Sequence, residues 1–313
     1  MHVVYCEVIP MSSVVTDVTP NLVAFRKRLR YSRKPKNKHD ARSIDLTLCI
    51  AAISIPPPPS DSCIVLCADS RIETEITSSN NEIKISTLQH PNWVGMFAGV
   101  ISNGREISAK LSEAIASTKL TPSNARDTFQ QVIFAYKDSL VEDYIRGRFS
   151  MSYREFQQAT SIPPDQLEEG WRKIEGMDVE CELIIAGFID KAPYIFFTQD
   201  TGGRLLSERN FAAIGSGAYA ARLILGFRNQ DRGDNAPITI YHVFEAKKIG
   251  ENAPSVGRET AVLLLRPETG MHLFPIYPQL EEAYKKFGPQ PTDSIKGMDV
   301  QLDSLCSPPI ILA

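Results

Sequence analysis

The sequence predicts an α+β fold, a four-layer αββα sandwich in which two antiparallel sheets lie between helix layers. Three observations carry this expectation. Two short apolar runs, 46 to 55 and 62 to 69, follow one another as the arms of a hairpin would. Further apolar runs recur near 93 to 100, between 179 and 214, and after 259. Two successive helical patterns follow each of the first two strand groups, so the order is strands, two helices, strands, two helices, strands. Sheets that must each bury a face against helices give that layering.

The elements follow in order. The first two runs are joined by Ile55-Pro56-Pro57-Pro58-Pro59-Ser60-Asp61-Ser62, a stiff loop whose prolines exclude it from a central strand. Trp93-Val94-Gly95-Met96-Phe97-Ala98-Gly99-Val100 reads as another strand, with Gly99 suited to the close approach of a second backbone. Asn103 is read as the cap of a helix carrying Ile107, Leu111 and Ile115, and Thr121-Pro122-Ser123 as the opening of a second helix that reaches about Arg148. From Phe149 to Met177 the chain is polar, holds Pro163-Pro164 and gives only a short helical signal from Gln166 to Lys173, which reads as a surface insertion. Strands are expected at 179 to 188, 193 to 199 and 204 to 214, parted by the turn signals Asp190-Lys191 and Asp200-Thr201-Gly202-Gly203. Gly215-Ser216-Gly217 then leads into a helix from Ala218 to about Phe227, a further helix spans roughly Pro237 to Ile249, and strands at 259 to 266 and 271 to 276 close the fold.

At 313 residues the chain can bury a full core. A net charge of -3 gives no overall case for nucleic acid or a membrane surface, and no apolar stretch approaches the roughly 18 residues that span a bilayer. The six cysteines show no metal-ligand spacing, and Cys49, Cys63, Cys67 and Cys181 fall inside apolar runs, so buried free thiols in a cytoplasmic protein, with no metal and no cofactor, are expected. Charge is concentrated between Arg26 and Arg42, where nine Lys and Arg are offset only by Asp40. Such a block cannot bury enough apolar surface to order itself. Residues 1 to 45 are read as a basic flexible arm, with a propeptide, a tail for an acidic surface and a passive extension all open. The domain is expected to span 46 to 290, with the insertion at about 149 to 177, and 291 to 313 to form a C-terminal tail.

The chemistry is concentrated at strand ends. Thr47 opens the first run, Asp69 closes the second, and Lys84 precedes Ile85. Singly, each has an ordinary reading as a β-former, a turn-flanking acid or a solvated lysine. Together they offer a hydroxyl, a carboxylate and an amine held rigidly around one point. If the chain were cut before Thr47, its new α-amine would act as base for its own hydroxyl, the logic of an N-terminal-nucleophile hydrolase.

Thr47-Leu48-Cys49-Ile50-Ala51, Ala68-Asp69-Ser70-Arg71, Lys84-Ile85, Gly95-Met96-Phe97-Ala98-Gly99 and Ile214-Gly215-Ser216-Gly217-Ala218-Tyr219-Ala220 stand in one order and spacing. In this the chain resembles 20S proteasome β subunits, over about Leu46 to Ile276, as a divergent proteasome-like member of the Ntn-hydrolase superfamily. The resemblance implies the Ntn-hydrolase fold and a set of roles. Thr47 would be the nucleophile and its amine, with an unperturbed pKa near 8, the base. Lys84 would favour the deprotonated hydroxyl, Asp69 would orient Lys84, and the Gly99 N–H would face the oxyanion. Ser216, Ser255 and Asn252 would stand near the threonine amine, and Ile72, Glu82, Ser86 and Phe97 would line the substrate pocket, with Phe97 at its floor.

Three features depart from the family pattern. Leu46 stands where active subunits carry a glycine before the nucleophile, Asn252 stands where an aspartate is expected, and Leu48 replaces a small or hydroxylated residue. Two readings follow. One is a threonine-type amide hydrolase, a peptidase in a homo-oligomeric or proteasome-like ring acting on peptide or protein. The other is a non-catalytic structural or assembly subunit of the same fold. An amidase for small acyl amides is a third use of the same nucleophile.

Overall fold

Residues 47–57, 62–69, 72–73, 78–79, 84–88, 92–253, 256–273 and 277–287 are described by the structure, a computed structural model. All of them belong to the unit Ser43–Ala313. The expected arm at 1 to 45 and tail at 291 to 313 lie outside the described residues, as do Glu82 and Ser255.

The chain is mixed α/β with two five-stranded antiparallel sheets. One sheet runs β10-β1-β2-β11-β12, from β1 (Leu48–Ser54), β2 (Cys63–Asp69), β10 (Phe211–Gly215), β11 (Thr260–Arg266) and β12 (Gly270–Leu273). The other runs β5-β6-β7-β8-β9, from β5 (Ile85–Thr87), β6 (Trp93–Gly99), β7 (Cys181–Ile189), β8 (Ala192–Thr198) and β9 (Leu205–Glu208). A separate two-residue ladder pairs β3 (Ile72–Glu73) with β4 (Ser78–Ser79). The expected hairpin of the first two runs is present, with Cys49 opposite Ala68 and Ser54 opposite Cys63.

Seven helices are described: α1 (Ile101–Ser117), α2 (Ala125–Phe149), α3 (Tyr153–Gln157), α4 (Pro164–Glu175), α5 (Ala218–Phe227), α6 (Ala236–Gly250) and α7 (Tyr277–Phe287). Strand alternation decides where each apolar side chain goes. Leu48, Ile50 and Ala52 of β1 join Leu225 of α5 and Val243 and Phe244 of α6 in one cluster. Cys49, Ala51 and Ile53 join Val94 and Met96 of β6 and Ile184 of β7 in a cluster drawn from both sheets. Phe97, Leu183 and Ile185 of the second sheet pack with Ile107 and Leu111 of α1 and Phe129 and Ile133 of α2. Because both faces of β1 are covered, all seven of its residues are buried and it reads as a continuous apolar run.

Four expectations are corrected. The strand expected at 204 to 214 is two strands in different sheets: β9 ends at Glu208 and β10 begins at Phe211. The polar trio Glu208-Arg209-Asn210 marks the change of sheet, and the Asn210 carbonyl accepts the Ile53 N–H at 2.8 Å. Asn103 does not cap α1, which starts at Ile101 after Val100; its amide donates instead to the Val179 carbonyl at 3.0 Å. The helical signal at Gln166 to Lys173 is present as α4, but the insertion holds more than that signal, since α3 precedes it and the two helices bury Phe156 against Ile145 of α2, with Leu167 and Trp171 packed around it. A capping box starts α3, with Ser152 N–H donating to Glu155 Oε2 at 2.7 Å and Ser152 Oγ accepting the Glu155 N–H at 3.3 Å. Finally, α7 was not expected at all; it packs on α6 through Tyr284 against Phe244, ring centroids 6.2 Å apart.

Candidate active site

Thr47 and Asp69 reach the same end of the first sheet because β1 and β2 are hydrogen-bonded neighbours, Cys49 facing Ala68. Lys84 arrives from the other sheet, one residue before β5. The three side chains expected to meet do meet. Lys84 Nζ donates to Thr47 Oγ1 at 2.5 Å and to Asp69 Oδ1 at 3.1 Å, and Thr47 Oγ1 donates to Asp69 Oδ1. Thr47, Asp69 and Lys84 are 0%, 1% and 2% exposed.

A carboxylate buried this deeply is tolerable only if its lone pairs are occupied. Asp69 Oδ1 also faces the Leu48 N–H at 3.5 Å, and Oδ2 accepts the Gly257 N–H at 2.8 Å. Both oxygens are thereby fixed, and the Lys84 ammonium is held at the hydroxyl. An ammonium in contact with Oγ1, shielded from water, favours the negatively charged form of that oxygen.

The carbonyl side of Thr47 is shaped by the turn after β10. Gly215 has φ +92°, and a Cβ there would lie 2.1 Å from the Thr47 carbonyl oxygen, so only glycine fits. Ser216, whose ordinary reading is a helix cap, leaves that role to Gly217 and donates to the Thr47 carbonyl at 3.3 Å. Gly99 has φ +119° at the end of β6, and a Cβ there would lie 2.5 Å from the Glu180 carbonyl oxygen.

The remaining expected residues are placed differently. Asn252 is exposed and its amide donates to the Ile249 carbonyl at 3.1 Å, closing its own helix end rather than reaching Thr47. Phe97 is 3% exposed and its ring lies against Gly104 of α1, as core packing across from Lys84, whose carbonyl accepts the Phe97 N–H at 3.4 Å. Ser86 is half-buried and donates to the Gly95 carbonyl at 3.3 Å. Ile72 belongs to β3, and Ser255 and Glu82 are outside the described residues.

Two contributors escaped the sequence reading. Gly257 supplies the N–H for Asp69 from the loop after α6. Glu182 of β7 crosses to the other sheet, where its Oε2 accepts the Gly215 N–H at 2.6 Å. The available signal for Glu182 is a charged residue inside the apolar run Cys181–Ile189.

The neighbouring thiols are not rival nucleophiles. Cys49, Cys63, Cys67 and Cys181 are buried thiols outside any disulfide. Burial, reinforced by the Asp69 charge, raises the Cys49 thiol far above its ordinary value, and burial pushes Cys67 up to about 12. Among the described residues no group of His, Cys, Asp and Glu is arranged to hold a metal ion, and no helix is long and apolar enough to cross a membrane. No protein-family model and no curated protein sequence matches this chain.

Proposed function

We propose that the chain is a threonine-type amide hydrolase whose nucleophile is Thr47 Oγ1 and whose active form begins at Thr47. The observation that carries this reading is the buried meeting of one hydroxyl, one ammonium and one carboxylate, with Lys84 Nζ 2.5 Å from Thr47 Oγ1. The proposal extends to the fold, a four-layer αββα sandwich of the Ntn-hydrolase kind, as the resemblance to proteasome β subunits implies. It extends also to peptides as substrate, an oligomeric ring as the working assembly and the cytoplasm as the compartment.

In the proposed reaction Thr47 Oγ1 attacks the carbonyl carbon of the substrate amide while its proton passes to the freed α-amine, directly or through one water. The Lys84 ammonium stabilises the oxygen as it loses the proton, and Asp69 keeps that ammonium in place. The Gly99 N–H stabilises the oxyanion of the tetrahedral intermediate. The α-amine then returns the proton to the leaving nitrogen, the C–N bond breaks, and an ester to Thr47 remains. Water adds to that ester by the same route and releases the acid.

One observation favours the second reading, a non-catalytic proteasome-like subunit. Asn252 turns away to Ile249 and, being an amide, brings no negative charge to tune the amine. Intact mass and N-terminal sequencing of the purified protein separate the two. A population that starts at Thr47 is expected from the hydrolase. A population that keeps Leu46 joined to Thr47, and a chain made to begin at Thr47 that hydrolyses no peptide amide, overturns it in favour of the second.

A further inference from the structure

The loop between α6 and β11 is held by a lysine that nothing so far has used. Lys247 lies in the last turn of α6, is 0% exposed and has two acceptors: Nζ donates to Glu251 Oε1 at 2.8 Å and to the Gly257 carbonyl at 2.7 Å. A lysine that served only the helix C-terminus could keep its ammonium partly in water, as the half-buried Lys248 does beside it, paired to Glu251. An ammonium taken wholly out of water is costly unless its acceptors are well placed. The interior position therefore calls for a reason, and Gly257 gives one. The same residue whose carbonyl accepts Lys247 gives its N–H to Asp69 Oδ2 at 2.8 Å.

We propose that Lys247 is a positioning residue for the Thr47-Asp69-Lys84 set, acting through the backbone of Gly257. The connection runs from Lys247 Nζ to the Gly257 carbonyl, from the Gly257 N–H to Asp69 Oδ2, and from Asp69 Oδ1 to Lys84 and Thr47. Without the ammonium, the Gly257 carbonyl and the Glu251 carboxylate lose a donor and the loop is free to shift. Asp69 Oδ2 then loses its N–H, and rotation of the carboxylate moves Oδ1 away from Lys84. Val256, buried in the cluster under α6, anchors the segment on one side of Gly257 and the pairing of Thr260 with Asp69 anchors it on the other, and the polar connection at Gly257 sets the backbone between them.

The catalytic consequence rests on the hydrolase reading, whereas the positioning itself does not, and the test keeps them apart. Lys247→Met is prepared in the full chain and in a chain beginning at Thr47. Amide hydrogen exchange at Gly257 is measured in both, and kcat and KM on a fluorogenic peptide amide in the second. Exchange at Gly257 is expected to accelerate at least about tenfold, as for one lost buried hydrogen bond. The value of kcat is expected to fall at least about tenfold with KM changed less than about twofold, the mark of a contribution made in the transition state. Glu251→Gln, at a residue whose side chain is 13% exposed, keeps the ammonium and removes the charge of one partner, and is expected to shift both readouts in the same direction by less. Unchanged exchange at Gly257 in a folded K247M protein overturns the proposal, as does a rise in KM at constant kcat. If K247M does not fold, E251Q decides, and unchanged Gly257 exchange there is equally contrary. Absence of turnover in the unsubstituted chain overturns the hydrolase reading alone, because the exchange measurement still decides the positioning role.

Discussion

Lys84 and Asp69 form an ion pair closed off from water, with Nζ 3.1 Å from Oδ1 and side chains 2% and 0% exposed. Closed off from water in this way, Lys84 belongs to the fold as well as to the site. Lys84→Met leaves the Asp69 charge buried against one fewer donor, which costs about 3–5 kcal/mol for pairs of this kind. The same change removes the ammonium from Thr47 Oγ1, so turnover is expected to disappear as well. Adding Asp69→Asn neutralises the stranded charge and is expected to restore much of the stability but none of the turnover. Urea unfolding of the single and double variants checks this, and a K84M protein as stable as the parent contradicts it.

Gly215 is the position where backbone shape and site geometry coincide. Alanine at φ +92° costs about 1–2 kcal/mol by itself, and its Cβ would also meet the Thr47 carbonyl oxygen at 2.1 Å. Backbone rather than a flexible side chain must move, so Gly215→Ala is expected to lose more than the conformational cost alone. A change within about 0.5 kcal/mol, measured by chemical unfolding, would show that Thr47 is not held by this turn.

Leu48 departs from the small residue expected after the nucleophile, and two glycines explain how it fits. A Cβ at Gly250 would lie 2.3 Å from Leu48 Cδ2, and one at Gly217 would lie 3.1 Å from it. Leu48→Ala is expected to cost about 2–4 kcal/mol through the space it leaves. Gly250→Ala overpacks the parent but suits the helix by about 1 kcal/mol over glycine once Leu48 is trimmed. Its effect is therefore expected to change sign, destabilising the parent and stabilising the L48A background. Equal effects in both backgrounds are the contrary outcome.

His242 gives the fold a pH dependence. Its ring is 0% exposed and Nδ1 lies 2.8 Å from Gln230 Oε1. Burial, helped by the nearby Arg228 charge, lowers its pKa from 6.5 to about 4. Above 6.5 both folded and unfolded chains hold it neutral, and the contribution is fully present. Between 6.5 and about 4 only the unfolded chain takes up the proton, so stability falls by about 1.4 kcal/mol per pH unit and levels off below. Denaturant midpoints at pH about 7.5 and about 5 are expected to differ more in the parent than in His242→Gln. Identical pH slopes in the two proteins would contradict this.

The parts legible in the sequence are those set by local pattern. Thr47, Asp69 and Lys84 were found because apolar strands have readable ends, and the two ends joined by the β1-β2 hairpin are brought together by register alone. The parts that were not legible depend on contacts between segments distant in sequence. The polar trio Glu208-Arg209-Asn210 interrupts the stretch from Leu205 to Ile214, but nothing local says that its two halves join different sheets, or that Glu182 reaches Gly215 thirty-three positions away. Gly257 is harder still, since its contribution to Asp69 is a backbone N–H and leaves no mark in residue type. In Asn252 the residue was noticed but its direction was not, because a short amide at a helix end is satisfied by its own last carbonyls.

The central claim is that Thr47 Oγ1, once its α-amine is free, attacks an amide carbonyl. The measurement that tests it most directly is steady-state hydrolysis of a panel of fluorogenic peptide amides by a chain whose first residue is Thr47, beside the same chain with Thr47→Ala. Turnover in the first and its loss by at least about a hundredfold in the second is the expected result. Equal rates in the two chains, at any substrate that is cleaved, would contradict the claim.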